Sequence, residues 1–263
     1  MANEHLLVKV ENAVLSLQLN RPESLNSFSP EMILRLTEEI KAAGANPEIG
    51  AVVLSGSGRS FSAGGDVKTM GQAGPVETYE HIGKLNELVL AMRALEKPII
   101  AAVHGFAAGA AFNLALASDL ILAAEDSKFV MSFAQVGLIS DGGGLYFLPR
   151  LIGPYRAKQL FFTAEPITAM QAHEWGIVNE LFPADQLEQG ALKLAARLAA
   201  GPSKAFGQLK KIADQAAVSG LPEILEQERI TQAMMVTTED HLEGVAAFKE
   251  KRKPDFSKEL EVR

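Results

Sequence analysis

The chain has 263 residues, of which 48% are hydrophobic and 22% charged, ordinary proportions for a folded protein of a size that can bury about three quarters of its extended surface. A formal net charge of −7 argues against nucleic acid as the main partner, because phosphate binding needs a concentrated basic surface. The lack of cysteine excludes a disulfide framework and thiolate chemistry, and five scattered histidines without ligand spacing give no reason to expect a metal.

Alternating apolar and polar residues over Leu6 to Val10 and Ala13 to Leu19, on either side of Glu11-Asn12, predict an N-terminal hairpin. The polar stretch LNRPESLNSFSPEM ends in Ser29 as N-cap and Pro30 as first helical residue, and the helix runs to about Ala43. Ala51 to Leu54 has the β-branched character of a buried strand, and the loop SGSGRSFSAGGDVKTM follows it. Pro75 to Leu95 carries Ile82, Leu85, Leu88, Val89, Met92 and Leu95 at the spacing of one buried helical face.

From Pro98 to Ser118 there is no charged residue, so a membrane span has to be considered. The run is rich in alanine, contains His104 and Asn113, and is broken by Gly105 and Gly109. A buried strand, Ile99 to Val103, followed by a helix buried on all sides explains it better. With no signal peptide evident either, a cytoplasmic protein without membrane contact is expected. Strands are predicted at Leu120 to Ala123 and Phe129 to Met131, and only helices after Gly142: 142–150, 154–163, 168–175, 184–199, 202–217, 222–237 and 239–252. Strands first and helices later predict an α/β core over residues 1–199 and a helical oligomerisation region over 200–263.

GSGRSF at Gly56 has Phe61 where a dinucleotide-binding loop needs its third glycine, and no serine-hydrolase elbow or P-loop is present. Two glycine-bearing turns remain, FSAGGD at Phe61 and GFAAGA at Gly105, each after a buried strand. Backbone N–H groups there could stabilise a developing negative charge, although tight packing alone explains such glycines as well or better. Asp141, in SDGGG, suits either a helix N-cap, which would lower its pKa, or a general base raised by apolar walls such as Phe133 and Leu145. If it is a base, Ser140 could cap the helix in its place. Asn113 reads as a satisfied core amide.

Taken together, LNRPESLNSFS, FSAGGDVKTM, PIIAAVHGFAAGAAFNLALASD, SFAQVGLISDGGGLYFLPR, ITAMQAHEWGIVNELFP and AAFKEKRKPDF resemble, in this order and over almost the whole chain, the crotonase superfamily of enoyl-CoA hydratases and isomerases. The resemblance implies a ClpP/crotonase-like α/β fold, a spiral of ββα turns with a C-terminal helical region. It also implies an acyl-CoA substrate, no separate cofactor beyond the CoA that the substrate carries, and homotrimers or dimers of trimers. By position, the N–H groups of Gly65 and Ala110 would hold the thioester oxygen. Ser24, Leu25 and Ala63 would line the CoA adenine and ribose site, with Asp66 and Val67 beside the acyl-CoA entrance.

Two departures bear on the reaction. Hydratases of this superfamily use two glutamates, and this chain has Asn113 and Phe133 at those positions. It has Asp141 where several double-bond isomerases and epoxyphenylacetyl-CoA isomerases carry an acid. Asn86 and Phe133 stand where dehalogenating relatives have His and Trp, which argues against dehalogenation. The expectation is an acyl-CoA isomerase of fatty-acid or phenylacetate breakdown, with Asp141 moving a proton or assisting the opening of a reactive ring. A one-carboxylate hydratase and a non-catalytic CoA- or RNA-binding relative are the alternatives, the latter resting on Lys204, Lys210 and Lys211.

Overall fold

Alternation along β3 (Ala51–Gly56) explains the sheet to which it belongs. Val52 and Leu54 enter the main core, and Ala51 and Val53 enter a second one behind it. A strand buried on both faces must be covered by helices on both sides, which is the environment of a parallel sheet. The computed structural model of the chain describes residues 4–66, 71 and 73–256.

β1 (Leu6–Glu11) and β2 (Val14–Leu19) form the expected antiparallel hairpin, closed by Asn12 and Ala13 at φ 51° and 60°, the left-handed pair that a two-residue hairpin turn requires. β2 then pairs parallel with β3, β3 with β4 (Ile99–Val103), β4 with β6 (Leu120–Ala124) and β6 with β9 (Glu180–Phe182). The order is β1-β2-β3-β4-β6-β9. A smaller sheet holds β5 (Phe106–Ala108), β7 (Lys128–Val130) and β8 (Ile167–Thr168). The middle turns, β4 with β5 and β6 with β7, each contribute one strand to the large sheet and one to the small sheet before a helical segment, and the turns advance as the implied ββα spiral.

The main core lies between the large sheet and α1 (Pro30–Ala45), α2 (Pro75–Ala94) and α3 (Ala110–Leu116). Ser29 caps α1 as expected, its Oγ accepting the Met32 N–H at 3.1 Å. Every residue of α3 is buried, as its lack of charge suggested. Among the described residues no helix is long and apolar enough to cross a membrane. Behind the sheet, α7 (Leu187–Ala199) packs Leu187, Ala191 and Ala195 against Val53, Ile100 and Leu122.

The expectation of helices alone after Gly142 is corrected by β8 and β9, and the glycine-bearing turn before α3 contains β5. These strands are two or three residues long, too short for periodicity to register. The helices α4 (Gly144–Ile152), α5 (Pro154–Thr163) and α6 (Ala169–Glu174) fall within a few residues of their predicted bounds.

After α7 the chain turns at Gly201 into α8 (Ser203–Ala216), α9 (Leu221–Met235) and α10 (Glu239–Glu250). A buried charge cluster fastens α8 to the core. Lys210 Nζ lies 2.9 Å from Asp119 Oδ2 and donates to the Met92 carbonyl at 2.9 Å, while Arg93 pairs with Asp214 and Asp119. The same Asp119 oxygen accepts the Ile99 N–H at 2.8 Å, which ties the start of β4 to the end of α3. Burial pushes Asp119 up and Lys210 down, each held charged by the other. Lys211 pairs with Glu96, so two of the three lysines that suggested a basic face are engaged in ion pairs.

Breaking this pair from one side leaves a buried charge without its partner. Asp119→Ala is expected to lower unfolding stability by about 3–5 kcal/mol in urea melts. The double replacement Asp119→Ala with Lys210→Met is expected to recover most of that loss.

Candidate active site

The N-terminal loop makes the floor of the site. A 3₁₀ turn over Pro22–Ser24 ends in Leu25 and Asn26, both left-handed at φ 53° and 54°. Asn26 is fully buried and spans two segments: its Nδ2 donates to the Ser57 and Ser60 carbonyls at 2.8 Å, and its Oδ1 accepts the Arg21 N–H at 2.8 Å. Ser62 Oγ donates to the Asn26 carbonyl at 2.7 Å and accepts the Gly64 N–H at 3.0 Å. The Ala63 N–H donates to the Leu25 carbonyl at 2.8 Å, and Ser24, Leu25 and Ala63 are all partly buried.

Asp66 pairs with Arg21 across 3.4 Å, both side chains being less than a fifth exposed, and Arg21 also donates to the Ser27 carbonyl at 2.8 Å. This link joins the loop to the strand-like segment that ends at Asp66. Val67 lies outside the described residues. Asn26, Ser62 and Arg21 did not emerge from the sequence as site-builders, because a polar residue in a loop carries no periodic signal; the left-handed Asn26 within LNRPESLN is the trace that could have marked it.

Two backbone turns meet above this floor. The Ser62 N–H donates to the Phe106 carbonyl and the Ala108 N–H to the Ser62 carbonyl, a short parallel bridge. Phe28 bridges Gly65 in the same way, its N–H donating to the Gly64 carbonyl at 2.7 Å. In a parallel bridge of this register Phe28 makes both bonds, so the Gly65 N–H points away from the pairing. Gly64 has φ +79°, and a Cβ on it would lie 2.3 Å from the Ala108 carbonyl and 3.0 Å from the Ala110 nitrogen. Only glycine lets the two backbones approach so closely. Gly109, at φ 53° and ψ −123°, turns the chain from β5 into α3 and gives its own N–H to the Val130 carbonyl at 2.8 Å. Ala110 is therefore the first residue of α3, where an N–H has no partner within the helix. The close approach of Gly64 thus sets the segment that carries Gly65 against the start of α3, where the Ala110 N–H lies.

Asn113 stands one turn further along the same face of α3. Its Nδ2 donates to the Asp141 carbonyl at 2.7 Å and to Ser140 Oγ at 2.9 Å. The satisfied core amide expected here is satisfied at nitrogen alone: Asn113 Oδ1 is buried without a partner. The ring of Phe133 lies 3.7 Å from the place of a Cβ on Gly109, so the aromatic side chain walls the start of α3.

Asp141 does not cap α4. The residue before that helix is Gly143, no side chain caps it, and Ser140 accepts from Asn113 instead of replacing the cap. The carboxyl is largely buried with Oδ1 unpartnered. Burial raises its pKa from 3.8 to about 6, opposed by a weaker interaction with its own backbone N–H. Leu145, expected as an apolar wall for this acid, is 51% exposed; Leu85 of α2 and Phe147 of α4 pack on the adjoining Gly142 and Gly143 instead.

Two adjacent backbone donors can take up negative charge on a carbonyl oxygen, and a carboxyl with a pKa near neutrality can move a proton beside it. With the ββα spiral, these are the parts of an enzyme of the crotonase fold. The Enoyl-CoA hydratase/isomerase family profile matches residues 9–259. The chain is 39% identical to the 1,2-epoxyphenylacetyl-CoA isomerase of Escherichia coli (strain K12), covering 97% of this chain and 98% of that one. It is 34% identical to the 2,3-dehydroadipyl-CoA hydratase of the same organism, over 95% and 98% of the two chains. The crystal structure of an enoyl-CoA hydratase from Polaromonas sp. JS666 superposes with a TM-score of 0.92 at 36% identity, over 95% and 98%. The chain belongs to the enoyl-CoA hydratase/isomerase family.

The raised pKa of Asp141 has a stability consequence with a definite sign. The folded protein holds this proton more tightly than the unfolded chain, so the contribution is present below about pH 4 and is lost as pH rises through about 6. Asp141→Asn is expected to be more stable than the parent by roughly 3 kcal/mol at pH 7, with the difference fading as pH falls from 6 to 4. Urea unfolding at several pH values measures it, and an equal gain at pH 4 and pH 7 would contradict the shift.

Proposed function

We propose that this enzyme is an acyl-CoA isomerase that works through a thioester enolate. The observation that carries the reading is Asp141: a buried acid, shifted toward neutrality, with an unpartnered oxygen, on a loop tied by Asn113 to the helix that begins with a backbone donor. At the two positions where hydratases of the superfamily carry glutamates, the chain has an amide and a phenyl ring.

For a 3-enoyl thioester, the Asp141 carboxylate takes a proton from the α carbon. The electron pair passes into the carbonyl, and the dienolate oxygen is held by the N–H groups of Gly65 and Ala110. The carboxyl then returns the proton to the γ carbon, the double bond moves to the 2-position, and the enzyme is regenerated. Only a proton moves, so the reaction needs no cofactor beyond the CoA of the substrate. Backbone donors suit the task because they are fixed before the charge develops. A substrate from fatty-acid or phenylacetate breakdown fits this chemistry, and the latter agrees with the isomerase relative.

The same reading places the enzyme in the cytoplasm as a homotrimer or a dimer of trimers. Exposed Leu221, Leu225, Ile230 and Met234 on α9 and Phe248 on α10 support self-association through the C-terminal helices.

Asp141→Asn is expected to lower turnover of 3-hexenoyl-CoA by about 10²–10⁴ while leaving acyl-CoA affinity nearly unchanged, because the thioester is held by backbone donors. Stopped-flow turnover and calorimetric titration with a non-reactive acyl-CoA measure the two quantities. The parent enzyme is expected to show an acid limb in kcat/KM near pH 6. Turnover retained by the Asn variant, or hydration of crotonyl-CoA faster than isomerisation in the parent, would sink the reading.

A further inference from the structure

We infer that Asn113 is a positioning residue for Asp141: its amide fixes the acid-bearing loop to α3, so that one helix sets the distance between the acid and the Ala110 donor. The inference rests on the isomerase reading and adds to it the device that aligns its base.

The geometry is specific. Asn113 is fully buried, and both of its N–H groups end on the loop, at the Asp141 carbonyl (2.7 Å) and Ser140 Oγ (2.9 Å). Neither bond supports α3 itself. The loop is shaped to receive the amide, since a Cβ on Gly144 would lie 2.2 Å from Asn113 Oδ1 and 2.4 Å from Ser140 Oγ. Gly142 packs at ordinary contact distance from the other side, 3.5 Å from Asn113 Cβ to the place of its own Cβ.

A structural role alone does not account for this residue. The unpartnered Oδ1 makes the amide a destabilising choice in a core otherwise built from Ala111, Phe112 and Leu114, where leucine would fill similar space without burying an unsatisfied oxygen. The amide does what neither leucine nor a carboxylate can do. It donates to the loop, and it adds no second negative charge beside Asp141, whose upward shift arises from burial without any contribution from a charged neighbour. The site therefore keeps a single titrating acid in register with the oxyanion donors.

The test compares Asn113→Ala, Asn113→Asp and Ser140→Ala with the parent and with Asp141→Asn, using 3-hexenoyl-CoA. Asn113→Ala frees the loop, and misplacing a catalytic group by about 1 Å costs about 10²-fold, so kcat is expected to fall by that order with KM little changed. Asn113→Asp keeps the volume but replaces donors by a second carboxylate. It is expected to lose at least as much and to move the acid limb to higher pH, because like charges resist joint ionisation. Ser140→Ala removes one of the two acceptors and is expected to lose about fivefold in kcat, the worth of one hydrogen bond; it serves also if Asn113→Ala does not fold.

A residue that only supports the fold would lower the melting temperature while leaving kcat per folded enzyme and the acid limb unchanged, and that outcome overturns the inference. If Asp141→Asn is inactive and the Asn113 variants match the parent, the isomerase reading stands and the inference falls. If Asp141→Asn stays active, both fall.

Discussion

The site depends on a close approach of two backbones. Between Ser62–Gly65 and Ala107–Ala110 there is no room for a side chain, and the Ala108 carbonyl occupies the space that a Cβ on Gly64 would need. This contact sets Gly64 against the start of α3, and hydrogen bonds on either side hold the two segments there. Asn26 and Ser62 fasten the first segment to the N-terminal loop; β5 and Gly109 fasten the second to β7. A main-chain donor at the start of α3 is compatible with alanine at 110, since the N–H comes from the peptide and not from the side chain.

Such a site fixes negative charge but cannot by itself move a proton. In the proposed isomerase that need falls to Asp141, an acid on a separate loop and kept from solvation. The same burial that raises Asp141 makes its ionisation costly to the fold, an example of stability yielding to a functional group. The acid lies about thirty residues beyond Ala110 and more than seventy beyond Gly65 in the chain, and α3 is the element that touches the loops of both. It is seven residues long, fully buried and free of charge, so it moves with the core and not with the surface.

The buried cluster around Asp119 plays the corresponding part at the other end of α3. Asp119 follows that helix at once, receives Lys210 from the C-terminal region and binds the first N–H of β4. Helix, sheet and C-terminal region are joined at one carboxylate, and replacing either charge alone by a neutral residue leaves the other buried without its partner. On the opposite flank, the Arg21–Asp66 pair ties the N-terminal loop to the segment that ends at Asp66.

Much of this was legible in the residues. Alternation and apolar runs located β1 to β4, β6 and the long helices, because each of those elements buries a face with its own period. The uncharged stretch from Pro98 to Ser118 marked the centre of the core, and the ordered motifs pointed to the family and to Gly65, Ala110 and Asp141. The pairing of β5, β7 and β8 was not legible: strands this short are held by partners distant in sequence, and their own residues carry almost no pattern. The role of Asp141 was likewise open, since an aspartate before three glycines suits a cap as well as a base. The tertiary structure removed the cap, since Gly143 and not Asp141 precedes α4, and it placed the acid against α3, where Asn113 holds its carbonyl and burial keeps its carboxyl from water. A pKa and an unpartnered oxygen are properties of surroundings, and surroundings exist only once the chain has folded.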